Sequence, residues 1–116
     1  MLRKVINMKI DFNKLDAQKL ESFQGGLKHF DANIYNDGIN KIIRGKLIPG
    51  ASIGLHTHDS SSEIIFITKG CAKFVTDDVV EYVNEGECHY CKKGSSHTLI
   101  NETKEDIEFF AVVPQQ

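Results

Sequence analysis

The stretch Gly50-Ala-Ser-Ile-Gly-Leu-His56-Thr-His58-Asp-Ser-Ser-Ser-Glu63-Ile-Ile-Phe-Ile-Thr-Lys-Gly70 decides how this chain is to be read. His56 and His58 stand two residues apart, and on a β-strand residues i and i+2 point to the same face, so both imidazoles can enter one interior. Small and polar residues then let the chain reverse. Glu63 opens the next run, and Ile65 and Ile67 follow it onto the interior face. A second block, Gly86-Glu-Cys-His-Tyr-Cys-Lys92-Lys-Gly94-Ser-Ser-His97-Thr-Leu-Ile-Asn101, brings a third histidine, His97, to the head of a later strand. Three neutral imidazoles and one carboxylate suit a divalent first-row ion, and iron, manganese, nickel, zinc, copper and cobalt all fit such a set. On a six-coordinate ion these four ligands would leave positions open to water, dioxygen or a substrate.

Outward from this stretch, apolar and β-branched runs recur between turn signals, the rhythm of an all-β sandwich or barrel. They are residues 27–36, 39–48, 51–58, 63–68, 71–76, 79–84, 87–91, 97–101 and 107–113. Asp37-Gly38 and Pro49-Gly50 are strong turn dipeptides between such runs. The expected architecture is a small antiparallel β-barrel or double-sheet jelly roll over residues 27–116, preceded by a short N-terminal arm over residues 1–26 with Gly25-Gly26 at the boundary. Within the arm, alternation over residues 8–12 predicts a short strand, and the run from Asp16 to Phe23 predicts about two turns of helix capped by Asp16.

Both blocks closely resemble the two sequence motifs of the cupin superfamily. The first matches G-x5-H-x-H-x4-E-x6-G at every fixed position, and the second resembles G-x5-P-x-G-x2-H-x3-N with one departure, Lys92 in place of proline. The resemblance implies a small single-domain cupin barrel of two antiparallel sheets, with His56, His58, Glu63 and His97 as metal ligands. It extends the expected function to a metal-dependent enzyme acting on a small organic molecule, of dioxygenase, decarboxylase, isomerase or lyase type. The alternative is a non-catalytic module that binds or senses a small molecule, because one barrel hosts many functions. Lys92 removes a rigid turn residue but no ligand. Asn101 is expected to tie down backbone.

Other residues tempt. Cys88 and Cys91 form a Cys-x-x-Cys, but positions i and i+3 of a strand face opposite ways, so the thiols should not meet. Cys71, heading another strand, is expected to be a small buried hydrophobe. His89 and Tyr90 lie on opposite faces of one strand, and Tyr90 is taken as the candidate lining a substrate pocket. His29 and Tyr35 share a face and are assigned to solvent or the rim, and with Tyr90 they are the candidates for a general acid or base. Lys4, Lys9, Lys14 and Lys19 read as solvated surface.

With 116 residues, 41% of them hydrophobic, 26% charged, and a net charge of −2, the chain has the size and balance of one globular domain. No basic face points to nucleic acid, and no apolar run reaches the length of a membrane span. Three cysteines, an odd number, argue against a disulfide framework and for a reducing, cytoplasmic setting. A homodimer is expected, with the arm adding a strand to a neighbour's sheet and covering an exposed edge.

Overall fold

The computed structural model describes residues 9–116. Ten strands form two antiparallel sheets: β1 (Gln18–Glu21), β2 (His29–Asn36), β3 (Asn40–Leu47), β4 (Ser52–Thr57), β5 (Glu63–Lys69), β6 (Cys71–Thr76), β7 (Val79–Asn84), β8 (Cys88–Cys91), β9 (Ser96–Ile100) and β10 (Ile107–Pro114). One sheet runs β1-β2-β3-β10-β5-β8 and the other β4-β9-β6-β7, and they face each other without joining into a closed cylinder. Each apolar run anticipated from the sequence falls on one strand, with ends that differ by a residue or two. Among the described residues no helix is long and apolar enough to cross a membrane.

Alternation explains why the sheets stack. On β10, Ile107, Phe109, Ala111 and Val113 are buried while the residues between them are only partly so. On β3 the inward set includes Ile43 and Leu47, and on β9 it is His97 and Leu99. These inner faces, with Phe30, Ile65, Ile67, Phe74 and Ile107, make one continuous core. Each fully buried side chain of this kind contributes about 1.5–3 kcal/mol of burial free energy.

The arm differs from expectation in two places. The anticipated helix over Asp16–Phe23 is absent: Gln18–Glu21 is strand β1, paired antiparallel with β2 from Gln18 opposite Ala32 to Glu21 opposite His29. The open edge of β2 offers backbone partners that a two-turn helix could not, and tertiary pairing overrides a weak helical preference. Of the strand expected over residues 8–12, Met8 lies outside the described residues, residues 9–11 join no strand, and Phe12 begins a 3-10 turn, Phe12–Lys14.

Candidate metal centre

Strand β4 re-aims its own side chains. Ile53 pairs with Leu99 and points into the core, whereas His56 pairs with His97, so β4 spends three residues where β9 spends two. That extra residue is a β-bulge, and it reverses the phase of alternation. Without it, Ile53 inside would put Leu55 and Thr57 inside as well. With it, Leu55 is exposed and His56 and His58 turn inward. The bulge sits at Gly54, where a side chain would strike the backbone carbonyl of Gln24 in the loop that crosses over β4. The Gly54 carbonyl in turn accepts a hydrogen bond from His56 Nδ1 at 2.7 Å.

His58 lies just past β4, where its backbone pairs with the Gly94-Ser95 turn. Gly94 has φ +90°, and the Ser95 N–H donates to the Lys92 carbonyl at 3.0 Å, so the turn closes without the proline that Lys92 replaces. Asn101 ties down backbone as expected: its amide donates to the Leu47 and Glu105 carbonyls, and its oxygen accepts from Thr103.

His56, His58, Glu63 and His97 converge, with one ligand atom from each lying within 4.8 Å of the others. His97 Nε2 is 3.0 Å from His58 Nε2, 3.1 Å from His56 Nε2 and 3.0 Å from Glu63 Oε1. Glu63 Oε1 is 3.1 Å from His58 Nε2 and 4.0 Å from His56 Nε2. Donors held at right angles about 2.1 Å from one ion would stand about 3 Å apart. Burial alone would push the Glu63 carboxyl up, but the His58 and His97 imidazoles packed against Oε1 outweigh it and hold it down at about 2. Burial lowers the pKa of His56 and so favours its neutral form.

The tautomers follow from the outer partners. A carbonyl only accepts, so His56 carries its proton on Nδ1 and presents a bare Nε2. His89, 2% exposed, stacks on Phe74 at 3.8 Å between ring centroids and places Nδ1 2.6 Å from Glu81 Oε1. With its proton directed to that carboxylate, neutral His89 accepts at Nε2 from His97 Nδ1, 3.0 Å away. His97 therefore also presents a bare Nε2. Burial lowers the His89 pKa, partly offset by the hydrogen bond to Glu81, in keeping with this neutral state. Bare nitrogens of His56 and His97 facing each other at 3.1 Å repel unless positive charge lies between them, and burial disfavours supplying it as an imidazolium. The donor set fits a cation.

Sequence reasoning chose the wrong face of β8 for the pocket. Tyr90 is 55% exposed and does not line the cavity, while His89 points inward and touches His97. Only the β5–β8 register, with Glu63 opposite Cys91 and Ile65 opposite His89, settles the phase. His89 was passed over in favour of Tyr90 on the same strand, and Glu81 was missed because no spacing rule links it to His89. Lys41, also missed, carries a usable signal: it shares parity with the inward Ile43 and Leu47. His29 lies 3.8 Å from Asp31 and Tyr35 donates to Asp37, and neither lines the cavity. Cys88 is exposed, Cys91 buried on the opposite face and Cys71 half-buried rather than fully so, all as free thiols.

The cluster forms one wall of a partly open cavity of about 260 Å³ between the sheets. Its remaining lining is mostly apolar, with Phe23, Ile34, Ile43, Ile53 and Phe109 among the contributors, and Gln18, Gln24 and Lys41 are its other polar members.

A family model described as Cupin domain matches residues 44–113, more than half of the chain. The oxalate-binding protein of Thermotoga maritima is 36% identical over 70 residues, 60% of this chain and 58% of that protein. A germin-like protein of Morus alba is 35% identical over 74 residues, 60% of this chain and 35% of that protein. These matches thus span about half or less of the curated relatives. Among solved structures, a predicted oxalate decarboxylase from Thermotoga maritima superposes with a TM-score of 0.87 at 24% identity, covering 94% of this chain and all of the other. A sugar phosphate isomerase from Silicibacter pomeroyi gives 0.75 at 18% identity, covering 94% of this chain and 76% of the other. At those identities the superpositions speak for the fold alone. The matched residues include His56, His58, Glu63 and His97, and with the two facing sheets they establish that the chain belongs to the cupin family.

Proposed function

We propose that His56, His58, Glu63 and His97 hold one divalent first-row metal ion, and that the protein is a metal-dependent enzyme acting on a small organic acid. The observation that carries this reading is the convergence of four donors within 4.8 Å on the wall of a cavity open to small molecules. A bound ion would act as a Lewis acid toward a substrate oxygen. The chain's own residues do the rest. Glu63 supplies the compensating negative charge, Gly54 and His89 orient two of the imidazoles, and the apolar walls restrict water around the reacting group. The names of the oxalate-binding protein and the predicted oxalate decarboxylase support a carboxylic acid as ligand.

A second reading, binding without turnover, is favoured by one observation. Outside the four donors, Lys41 is the only titratable side chain among the described residues that line the cavity, so none of these offers a separate carboxylate or imidazole as general base.

Loading the purified protein anaerobically with each candidate ion, then offering oxygen and a panel of small carboxylic acids, decides between them. Turnover that disappears in His97→Ala supports the enzyme, and saturable binding with no product across the panel supports the binding module. If wild type and His56→Ala/His58→Ala retain equal metal after dialysis, the metal centre itself is lost.

A further inference from the structure

Lys41 lies on the interior side of β3. Strand alternation puts it with Ile43 and Leu47, and it lines the cavity beside His56, His58 and Val113. The same Lys41, His56 and His58 also line the shallower groove outside, which places the ammonium group's residue where cavity and solvent meet. Among the described residues the Lys41 side chain makes no hydrogen bond or ion pair. An ammonium group at the mouth of an apolar cavity, with no counter-charge of its own, is free to pair with an anion that enters. The metal centre points the same way, since one carboxylate only partly neutralises a divalent ion.

Beyond this charged side the wall is mostly hydrocarbon, including Leu20, Phe30, Ile34, Ile43, Phe109 and Val113, with Gln18 and Gln24 its remaining polar members. Oxalate consists of two carboxylates and has nothing to place against such a wall. The cavity of 260 Å³ has room for about nine waters' worth of liquid volume at about 30 Å³ each.

We infer that the cavity selects a small carboxylate with a hydrocarbon body, the acid end lying between Lys41 and the histidine cluster and the body against the apolar wall. This rests on the proposed metal centre for part of its positive charge, and on Lys41 and the wall for its selectivity. A buried hydrocarbon body adds roughly tenfold to a hundredfold in affinity. A charge-assisted contact from Lys41 adds about tenfold more.

The test is calorimetric titration of zinc-loaded and metal-free protein with phenylpyruvate, pyruvate, oxalate and the methyl ester of phenylpyruvate. Phenylpyruvate is expected to bind at least tenfold more tightly than pyruvate, oxalate or the ester. Lys41→Met should take about tenfold from phenylpyruvate and leave the ester unchanged, and Lys41→Arg should restore most of the loss. Melting curves confirm that each variant is folded. Oxalate binding as tightly as phenylpyruvate, equal losses for acid and ester in Lys41→Met, or no binding of any probe would overturn the inference. The two readings fail separately. Protein that retains no metal yet binds phenylpyruvate in a Lys41-dependent way removes the metal centre and keeps this selectivity, and metal-loaded protein that prefers oxalate does the reverse.

Discussion

His89 acts on the cluster through one atom. Its Nε2 accepts from His97 Nδ1, and its Nδ1 is anchored by Glu81, so the proton on His97 stays on the side away from the other donors. Outer hydrogen bonds of this type are worth about 10–100-fold in metal affinity. His89→Phe keeps a flat ring to stack on Phe74 but removes the acceptor. It is expected to weaken metal binding by about that factor, with His89→Gln, which retains an acceptor oxygen, losing less. Nitrogen NMR of the metal-free protein should show His97 protonated at Nδ1 in wild type and shifted toward Nε2 in His89→Phe; an unchanged tautomer would make His89 a packing residue only. The cysteines give a second test at this scale. Burial, with the charges of Glu63 and Asp77, pushes the Cys91 thiol up to about 11, so it should resist alkylation at neutral pH until the protein unfolds, whereas exposed Cys88 should be the first labelled by mass spectrometry. The four donors were legible because strand parity and motif spacing act along the chain. His89 was not, since parity offers two faces and only the pairing of β8 with β5 says which is inside.

At the scale of elements, the bulge in β4 decides whether the two histidines face the cavity or the solvent. The sequence holds a trace of it, because Ile53 and His56 differ in parity yet both point inward. Reading that trace requires knowing the partner strand. The helix expected over Asp16–Phe23 failed for a related reason: local residue preferences do not contain the free edge of β2 that captures Gln18–Glu21. Gly54 makes the bulge compatible with the loop above it, because its missing side chain lets the Gln24 carbonyl settle onto β4, and Gly26 meets Ser52 and Gly54 in the same way. Gly54→Ala must push backbone aside, since no flexible side chain is there to yield. It is expected to destabilise the protein by about 1–3 kcal/mol in chemical denaturation. Metal affinity should fall as well, because moving the backbone at residue 54 also moves its own carbonyl, the one that accepts from His56 Nδ1 and orients that ring. Full stability in Gly54→Ala would mean that the loop lifts away freely and plays no part in closing the cavity.

Across the whole molecule, the donors belong to different sheets: His56 and His97 sit on β4 and β9 of the four-stranded sheet, and Glu63 on β5 of the six-stranded one. Acidification should loosen the metal-free protein. Burial lowers the folded-state pKa of His56 and His89, so below about 6.5 the unfolded chain binds protons that the folded chain refuses. Stability is then fullest above that pH and declines as pH falls through the window between the unfolded and folded values, which denaturant midpoints at stepped pH will show. Adding the ion should raise the melting temperature in proportion to the logarithm of its free concentration. The two sheets share no continuous hydrogen-bonded seam, and an ion held as proposed by donors from both would act as a rivet between them. Proteases cut the opened chain in preference to the closed one, so how long a copy survives should depend on how much of the ion its surroundings supply.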